Sequence, residues 1–338
     1  MRVWFNRTFS SVSTAMRLIR EADREHRYHL IYTSGAPVPA GQAAHQFELE
    51  PTGLKGEAYV DWCLEFCRRH DVGIFVPGKE ARSISAARDR FADAGTRVLA
   101  VAQADALHLL HDKARFYATV DCPAAPPPHS IVVNNVAQFD AAYAELRALY
   151  PQLCIKPSES VYGLGFSVID EERSCAELLL AGAQYTIGQA ELRDGLAKMG
   201  EFRTMLVMEF LEGHEYSVDC VGDNGRLLCA VARRKPLSSG VSQTITVNPL
   251  IQSACAALAA AYGLNGVFNV QFRESGGVVR LLEINPRMSG GVGMACMAGP
   301  NLPYIALAGF DRGYDKVEIA PIREGMRVAE VSHAVEVV

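Results

Sequence analysis

The 338-residue sequence predicts an α/β protein built as two or three linked lobes, because the chain is too long for one compact core. Three observations carry this. Short apolar runs alternate with helical patterns through the first hundred residues. A proline-rich break, Cys122-Pro123-Ala124-Ala125-Pro126-Pro127-Pro128, then interrupts the chain. After Leu206 strand-like alternation dominates.

The elements follow in order. Residues 3–5, 30–33, 74–76 and 98–102 read as strands, and 12–23, 57–70 and 84–94 as helices, which predicts a parallel sheet with helices packed on it. The turn after the first strand is Asn6-Arg7-Thr8-Phe9-Ser10-Ser11, so the Rossmann-like outline lacks the glycine fingerprint of dinucleotide binding. A smaller αβ unit follows: a strand at 130–133, a helix at 137–149, strands at 153–156 and 165–169, and a helical region at 171–199 interrupted near 185–188. Beyond it, a helix at 250–262 ends on Gly263, a good C-cap.

Composition narrows the function classes. At 49% hydrophobic, 21% charged and a formal net charge of −5, the chain has no bulk electrostatic reason to hold nucleic acid, and no nucleic-acid partner is expected. No apolar run approaches the roughly 18–20 residues that span a bilayer, so no membrane is expected either. The start, Met1-Arg2-Val3-Trp4-Phe5, lacks the apolar core of a secretory signal. Nine cysteines without a CxxC pair point to reduced thiols and a cytoplasmic setting. Cys63, Cys67 and His70 fall on one helical face and could present a metal site, but Trp62, Leu64 and Phe66 beside them favour core packing. His108 and His111, before Asp112, read as helix-surface residues.

The most informative stretch is a predicted hairpin from Asn269 to Asn285, with Glu274-Ser275-Gly276-Gly277 at its turn. Alternation puts Asn269 and Gln271 on one face, and Glu283 and Asn285 on one face. A three-residue turn centred on Gly277 sets Gln271 opposite Glu283 and Asn269 opposite Asn285, with Val270, Phe272, Leu282 and Ile284 facing the core. Such oxygen-bearing side chains suit Mg²⁺ that keeps positions for phosphate and water. Arg287 follows, placed to meet a phosphate or carboxylate. The plain alternative is a half-exposed hairpin with solvated polar side chains.

Here the sequence resembles a family. Glu283-Ile284-Asn285-Pro286-Arg287, preceded by Asn269-Val270-Gln271-Phe272, is similar to the metal signature of ATP-grasp enzymes, especially the branch of carbamoyl-phosphate synthase large chains and biotin carboxylases. The resemblance implies that Gln271, Glu283 and Asn285 hold two Mg²⁺ ions bridging the phosphates of ATP, with Mn²⁺ an acceptable substitute. It implies phosphate contacts from Lys113, at the start of a helix, and Lys156, at the end of an apolar strand, and a lid over the phosphates at Glu159-Ser160-Val161-Tyr162-Gly163-Leu164-Gly165. Taken alone, Lys113 reads as a surface lysine. Met208-Glu209-Phe210-Leu211-Glu212-Gly213-His214-Glu215 resembles the family's adenine hinge: main chain near Glu209 and Leu211 reads adenine, and Glu215 accepts from the ribose hydroxyls. These segments occur in family order.

The implied architecture is an ATP-grasp fold: a pre-ATP-grasp Rossmann-like domain (1–104), a connecting helix and Pro-rich linker (105–127), a small αβ lid (128–208) and an antiparallel-sheet C-terminal lobe (209–338) with the metal site. The implied enzyme is a carboxylate–amine or related ligase that activates a carboxylate as acyl phosphate. Arg287 and Lys156 are its catalytic cations. Arg233-Arg234-Lys235 ends an apolar strand, and Arg234 is taken as the inward-pointing phosphate or substrate-carboxylate partner. Ser289-Gly290-Gly291 offers backbone N–H groups to the same anion. Gly240 stands where carbamoyl-phosphate synthases carry a histidine, and the ATP-grasp unit reads as a single copy, which together lead away from carbamoyl phosphate synthesis itself. The partners expected are ATP and a small-molecule carboxylate or amine acceptor, in a chain compatible with a homodimer. Two rival classes are a non-catalytic or regulatory ATP-binding module and a nicotinamide oxidoreductase.

Overall fold

A computed structural model describes residues 1–338 except 8–10, 161–163, 238–239, 333 and 337–338, and it divides into two compact units. The first comprises Met1–His108, His214–Phe272 and Glu283–Val338; the second comprises Leu109–Gly213 and Arg273–Leu282. No described helix is long and apolar enough to cross a membrane.

The first unit begins with an all-parallel sheet of β1 (Arg2–Phe5), β2 (His29–Ser34), β3 (Gln46–Leu49), β4 (Val72–Val76) and β5 (Arg97–Val98), in the order β3-β2-β1-β4-β5. The two-residue period of a strand assigns its faces. Val3, Phe5, Leu30 and Tyr32 pack with Val12, Met16 and Ile19 of α1 (Ser11–Ala22). Trp4, Ile31 and Phe75 face the other way, onto α2 (Gly56–His70). There Trp4 stacks on Phe75 and Phe66 with ring centroids 4.1 and 4.3 Å apart.

Cys63 and Cys67 lie in that core, and burial pushes the Cys67 thiol up to about 12. His70 instead meets Glu48 at 3.3 Å, so core packing accounts for the two cysteines and the contact with Glu48 for the histidine. Three outlines differ from the sequence reading. The half-exposed edge strand β3 was not anticipated. The expected helix at 84–94 is two, α3 (Ala81–Ala86) and α4 (Arg88–Asp93), and the strand at 98–102 shrinks to β5. α5 (Ala104–His111) follows.

The second unit holds α6 (Lys113–Thr119), β6 (Ser130–Asn135), α7 (Val136–Arg147), β7 (Leu153–Pro157), β8 (Ser167–Asp170), α8 (Cys175–Leu180), β9 (Thr186–Gly188), α9 (Gln189–Met199) and β10 (Glu201–Glu209). Its sheet runs β6-β10-β7-β8-β9, and Val133, Phe139, Leu146, Ile155 and Val207 fill its core. The break expected inside 171–199 is a strand, β9. It is preceded by Gly182 and Tyr185 in the left-handed region, which a helix cannot contain.

The first unit also holds β11 (Glu215–Asp223), β12 (Arg226–Arg234), β13 (Gln243–Thr246), β16 (Arg327–Val328) and the parts of β14 (Gly266–Ser275) and β15 (Val278–Asn285) that lie outside 273–282, in a sheet of order β15-β14-β11-β12-β13-β16. α10 (Pro249–Tyr262) is capped by the Asn248 side chain, which accepts from the Leu250 and Ile251 amides, and is closed by Gly263 at φ 59° as its sequence predicts. α11 (Val292–Cys296) and α12 (Leu302–Arg312) complete the unit.

Candidate functional site

The hairpin of β14 and β15 turns on two residues, Gly276 and Gly277, at φ 54° and 80°. Adjacent glycines both enter the left-handed region without steric cost, so the tightest hairpin closes, one residue shorter than the assumed turn. Phe268, Val270, Phe272 and Ile284 form the apolar back, but the fully buried leucine of β15 is Leu281, and Leu282 is only half-buried.

At the end of β15 three polar side chains form one chain of hydrogen bonds. Asn285 Nδ2 donates to Glu283 Oε1 at 2.7 Å, and an Arg287 terminal nitrogen donates to Asn285 Oδ1 at 3.1 Å. A second Arg287 nitrogen reaches Met288 O at 3.2 Å. Gln271 is half-buried on β14.

Asn269 goes elsewhere. It is 0% exposed, and its amide nitrogen lies 3.0 Å from Ser217 Oγ, 3.1 Å from Val218 O and 3.2 Å from Asp219 Oδ1. It therefore belongs to a buried polar network and does not pair with Asn285 as the longer turn required.

The same network corrects the choice between the two arginines. Arg233, not Arg234, is the inward residue: its register sets it opposite Ser217 on β11, and it is 2% exposed while Arg234 is half-buried at the strand end. Arg233 donates to Asp219 Oδ2 at 3.0 and 3.1 Å, to Ser217 Oγ at 3.0 Å and to Ser289 Oγ at 3.0 Å, and also to Gln243. A Cβ on residue 291 would lie 2.6 Å from the guanidinium, so only glycine lets the turn after Ser289 pass this close. Glu215, on β11, pairs with Lys235 at 2.5 Å.

In the second unit Asp112 caps α6, accepting from the Ala114 and Arg115 amides at 3.1 and 3.3 Å. Lys113 is only 7% exposed, which reverses its reading as a surface lysine, and its Nζ donates to Ser160 O at 3.2 Å. Lys156 Nζ lies 2.8 Å from Tyr117 Oη and 5.0 Å from that ring's centroid. Tyr117 Oη in turn donates to Leu282 O at 2.5 Å. The Glu209 carboxylate is buried and accepts from the His129 amide at 2.8 Å, while its carbonyl accepts from Cys154 Sγ at 3.6 Å. Burial raises the Cys154 thiol to about 12. Leu211 is buried. Gly163 lies outside the described residues.

Glu283, Asn285 and Gln271 are all oxygen donors with a single carboxylate, which suits a hard divalent cation completed by phosphate and water. Among the described residues no group of three or more His, Cys, Asp or Glu could hold an ion by itself. Sequence reasoning missed Tyr117, Asp219 and Ser217. The only local signal for Tyr117 was its position one helical turn after Lys113.

Residues 201–334 match the family described as "ATP-grasp in the biosynthetic pathway with Ter operon". The chain is 33% identical over 139 residues to carnosine synthase 1 of Homo sapiens, covering 38% of this chain and 17% of that protein. It is 28% identical over 209 residues to the arginine-specific carbamoyl phosphate synthase large chain of Geobacillus stearothermophilus, covering 58% and 18%. The chain thus spans less than a fifth of either relative. Among solved structures, the biotin carboxylase β-γ-ATP complex from Campylobacter jejuni superposes with a TM-score of 0.64 at 13% identity, over 95% of this chain and 72% of that one. At that identity the likeness is one of fold. Residues 201–334 thus match an ATP-grasp family, and the chain shares the fold of that biotin carboxylase.

Proposed function

We propose that the protein binds ATP with Mg²⁺ and transfers the γ-phosphoryl group to a carboxylate substrate, forming an acyl phosphate that an amine or other nucleophile attacks. The observation that carries this reading is the hydrogen-bonded run of Glu283, Asn285 and Arg287 at the end of β15. A carboxylate, an amide and a guanidinium in succession supply two oxygen donors for a cation and a fixed positive charge for an anion.

In this reading Glu283, Asn285 and Gln271 hold Mg²⁺, in two ions as the family resemblance implies. Bound Mg²⁺ neutralises phosphate charge and helps align the reacting oxygens. Lys113 and Lys156 bring cationic nitrogens to the phosphates. The Glu209 carbonyl, which accepts from a weak thiol donor, keeps acceptor capacity for adenine, with the Leu211 amide as its companion. Glu215, already ordered by Lys235, accepts from the ribose hydroxyls.

Arg287 steadies the carboxylate while its oxygen attacks the γ-phosphorus and ADP departs. The amine then attacks the acyl carbon, expels inorganic phosphate and loses a proton. Phosphoryl transfer needs alignment and charge neutralisation more than a protein nucleophile, and these residues supply that.

The test is Mg²⁺-dependent ADP release against a panel of carboxylates and amines. Release stimulated by a matched pair, and lost in Lys156→Ala, supports the reading. ADP release in Lys156→Ala equal to that of the unaltered protein would overturn it.

A further inference from the structure

Tyr117 is one helical turn beyond Lys113 on α6, and its hydroxyl stands between two groups of the same unit. It lies 2.8 Å from Lys156 Nζ and 2.5 Å from Leu282 O. An ammonium can only donate and a carbonyl can only accept, so the phenol must accept from the lysine and donate to the carbonyl. That uses its single proton and aligns the three groups in one polarised chain. The ammonium stands beyond the hydroxyl end of the ring, 5.0 Å from its centroid.

We propose that Tyr117 is the positioning residue for the Lys156 ammonium, holding it in place for an ATP phosphate before the nucleotide arrives. This rests on the proposed role of Lys156. A lysine has four rotatable side-chain bonds and loses that freedom when it grips an anion. A hydroxyl that restricts it beforehand reduces the loss on binding. The other end of the tether is the main chain of β15. Leu282 directly precedes Glu283, so the same hydroxyl fastens the backbone one residue before the proposed metal carboxylate.

The experiment is calorimetric binding of Mg·ATP to the full chain carrying Tyr117→Phe, Lys156→Ala or both, each verified as folded by its melting curve. Tyr117→Phe keeps the ring and removes the hydroxyl. It should weaken binding about tenfold, the size of one lost hydrogen bond to a charged group. Lys156→Ala should weaken it at least as much, and the double variant should bind no worse than Lys156→Ala. That non-additivity separates positioning from a general structural role. If Tyr117→Phe fails to fold, Tyr117→Leu serves in its place with the same expected losses.

Lys156→Ala weakened while Tyr117→Phe binds as the unaltered protein does would overturn the positioning role alone. Losses that add in the double variant would likewise overturn it, because the hydroxyl would then act independently of the lysine. Unaltered affinity in Lys156→Ala would instead overturn the phosphate role of the lysine, and the proposal with it.

Discussion

The Arg233 guanidinium and the Asp219 carboxylate pair at 3.0 Å, with side chains 3% and 0% exposed. Ser217, Ser289, Gln243 and Asn269 complete the hydrogen bonds around them, joining β11, β12, β13, β14 and the turn after Arg287. A buried pair satisfied on all sides is costly to break from one side, because the surviving charge stays desolvated. Asp219→Ala should therefore destabilise the protein by about 3–5 kcal/mol. Urea unfolding measures this, and an unchanged midpoint would refute it. Arg234→Ala, at a half-buried strand end, should shift the midpoint far less.

Glu283→Ala and Asn269→Ala should fail in different ways. Glu283 is half-buried at the end of β15, and its loss should abolish Mg²⁺-dependent ADP release while the melting curve stays close to that of the unaltered protein. Asn269 is fully buried with three oxygen partners, so its loss should cost about 1–3 kcal/mol of stability. Parallel melts and turnover assays separate the two, and stable but inactive Asn269→Ala would contradict the burial argument.

Asp311 on α12 sets an acid limit. Burial by itself would raise its pKa, but hydrogen bonds from Arg27 at 2.7 Å, Arg97 at 2.9 Å and Tyr28 at 3.1 Å outweigh it and hold the carboxyl below its ordinary value. The unfolded chain, with an aspartate pKa near about 3.9, then takes up the proton first as pH falls. The stabilisation is present above that value and disappears as pH drops through the lower folded one. Asp311→Asn should melt earlier at pH 7, with the two curves converging toward pH 3 and below. A constant gap between them across that range would rule this out.

Of nine cysteines, all but Cys175 are buried. A thiol reagent should modify about one thiol rapidly in the native protein and the rest only on unfolding. Cys175→Ser should remove that fast phase; its persistence would show a second accessible thiol.

The Gly276-Gly277 turn makes a backbone prediction. Valine at 276 must enter the left-handed region and should cost about 1–2 kcal/mol, whereas asparagine should be tolerated. Equal thermal stability of the two variants would count against the tight turn.

Much of the fold was legible because alternation and capping are local. The parallel first sheet, α10 with its Gly263 cap, and the pairing of Glu283 with Asn285 on one face follow from spacing of two or 3.6 residues. The short edge strand β3 was missed because four half-exposed residues carry little apolar pattern. The turn was taken one residue too long, since glycine pairs at a hairpin tip fit more than one loop length.

By itself, then, the sequence determined which side chains share a strand face and which chemistry lines the end of β15. Only the tertiary structure decided that Arg233 is buried and Arg234 is not, that Asn269 joins Asp219, and that Lys156 meets Tyr117. The physical reason is range. A side chain's direction is set by its neighbours in the chain, but its burial and its partners are set by segments tens of residues away. Only packing brings Ser217, Arg233, Asn269 and Ser289 to one place.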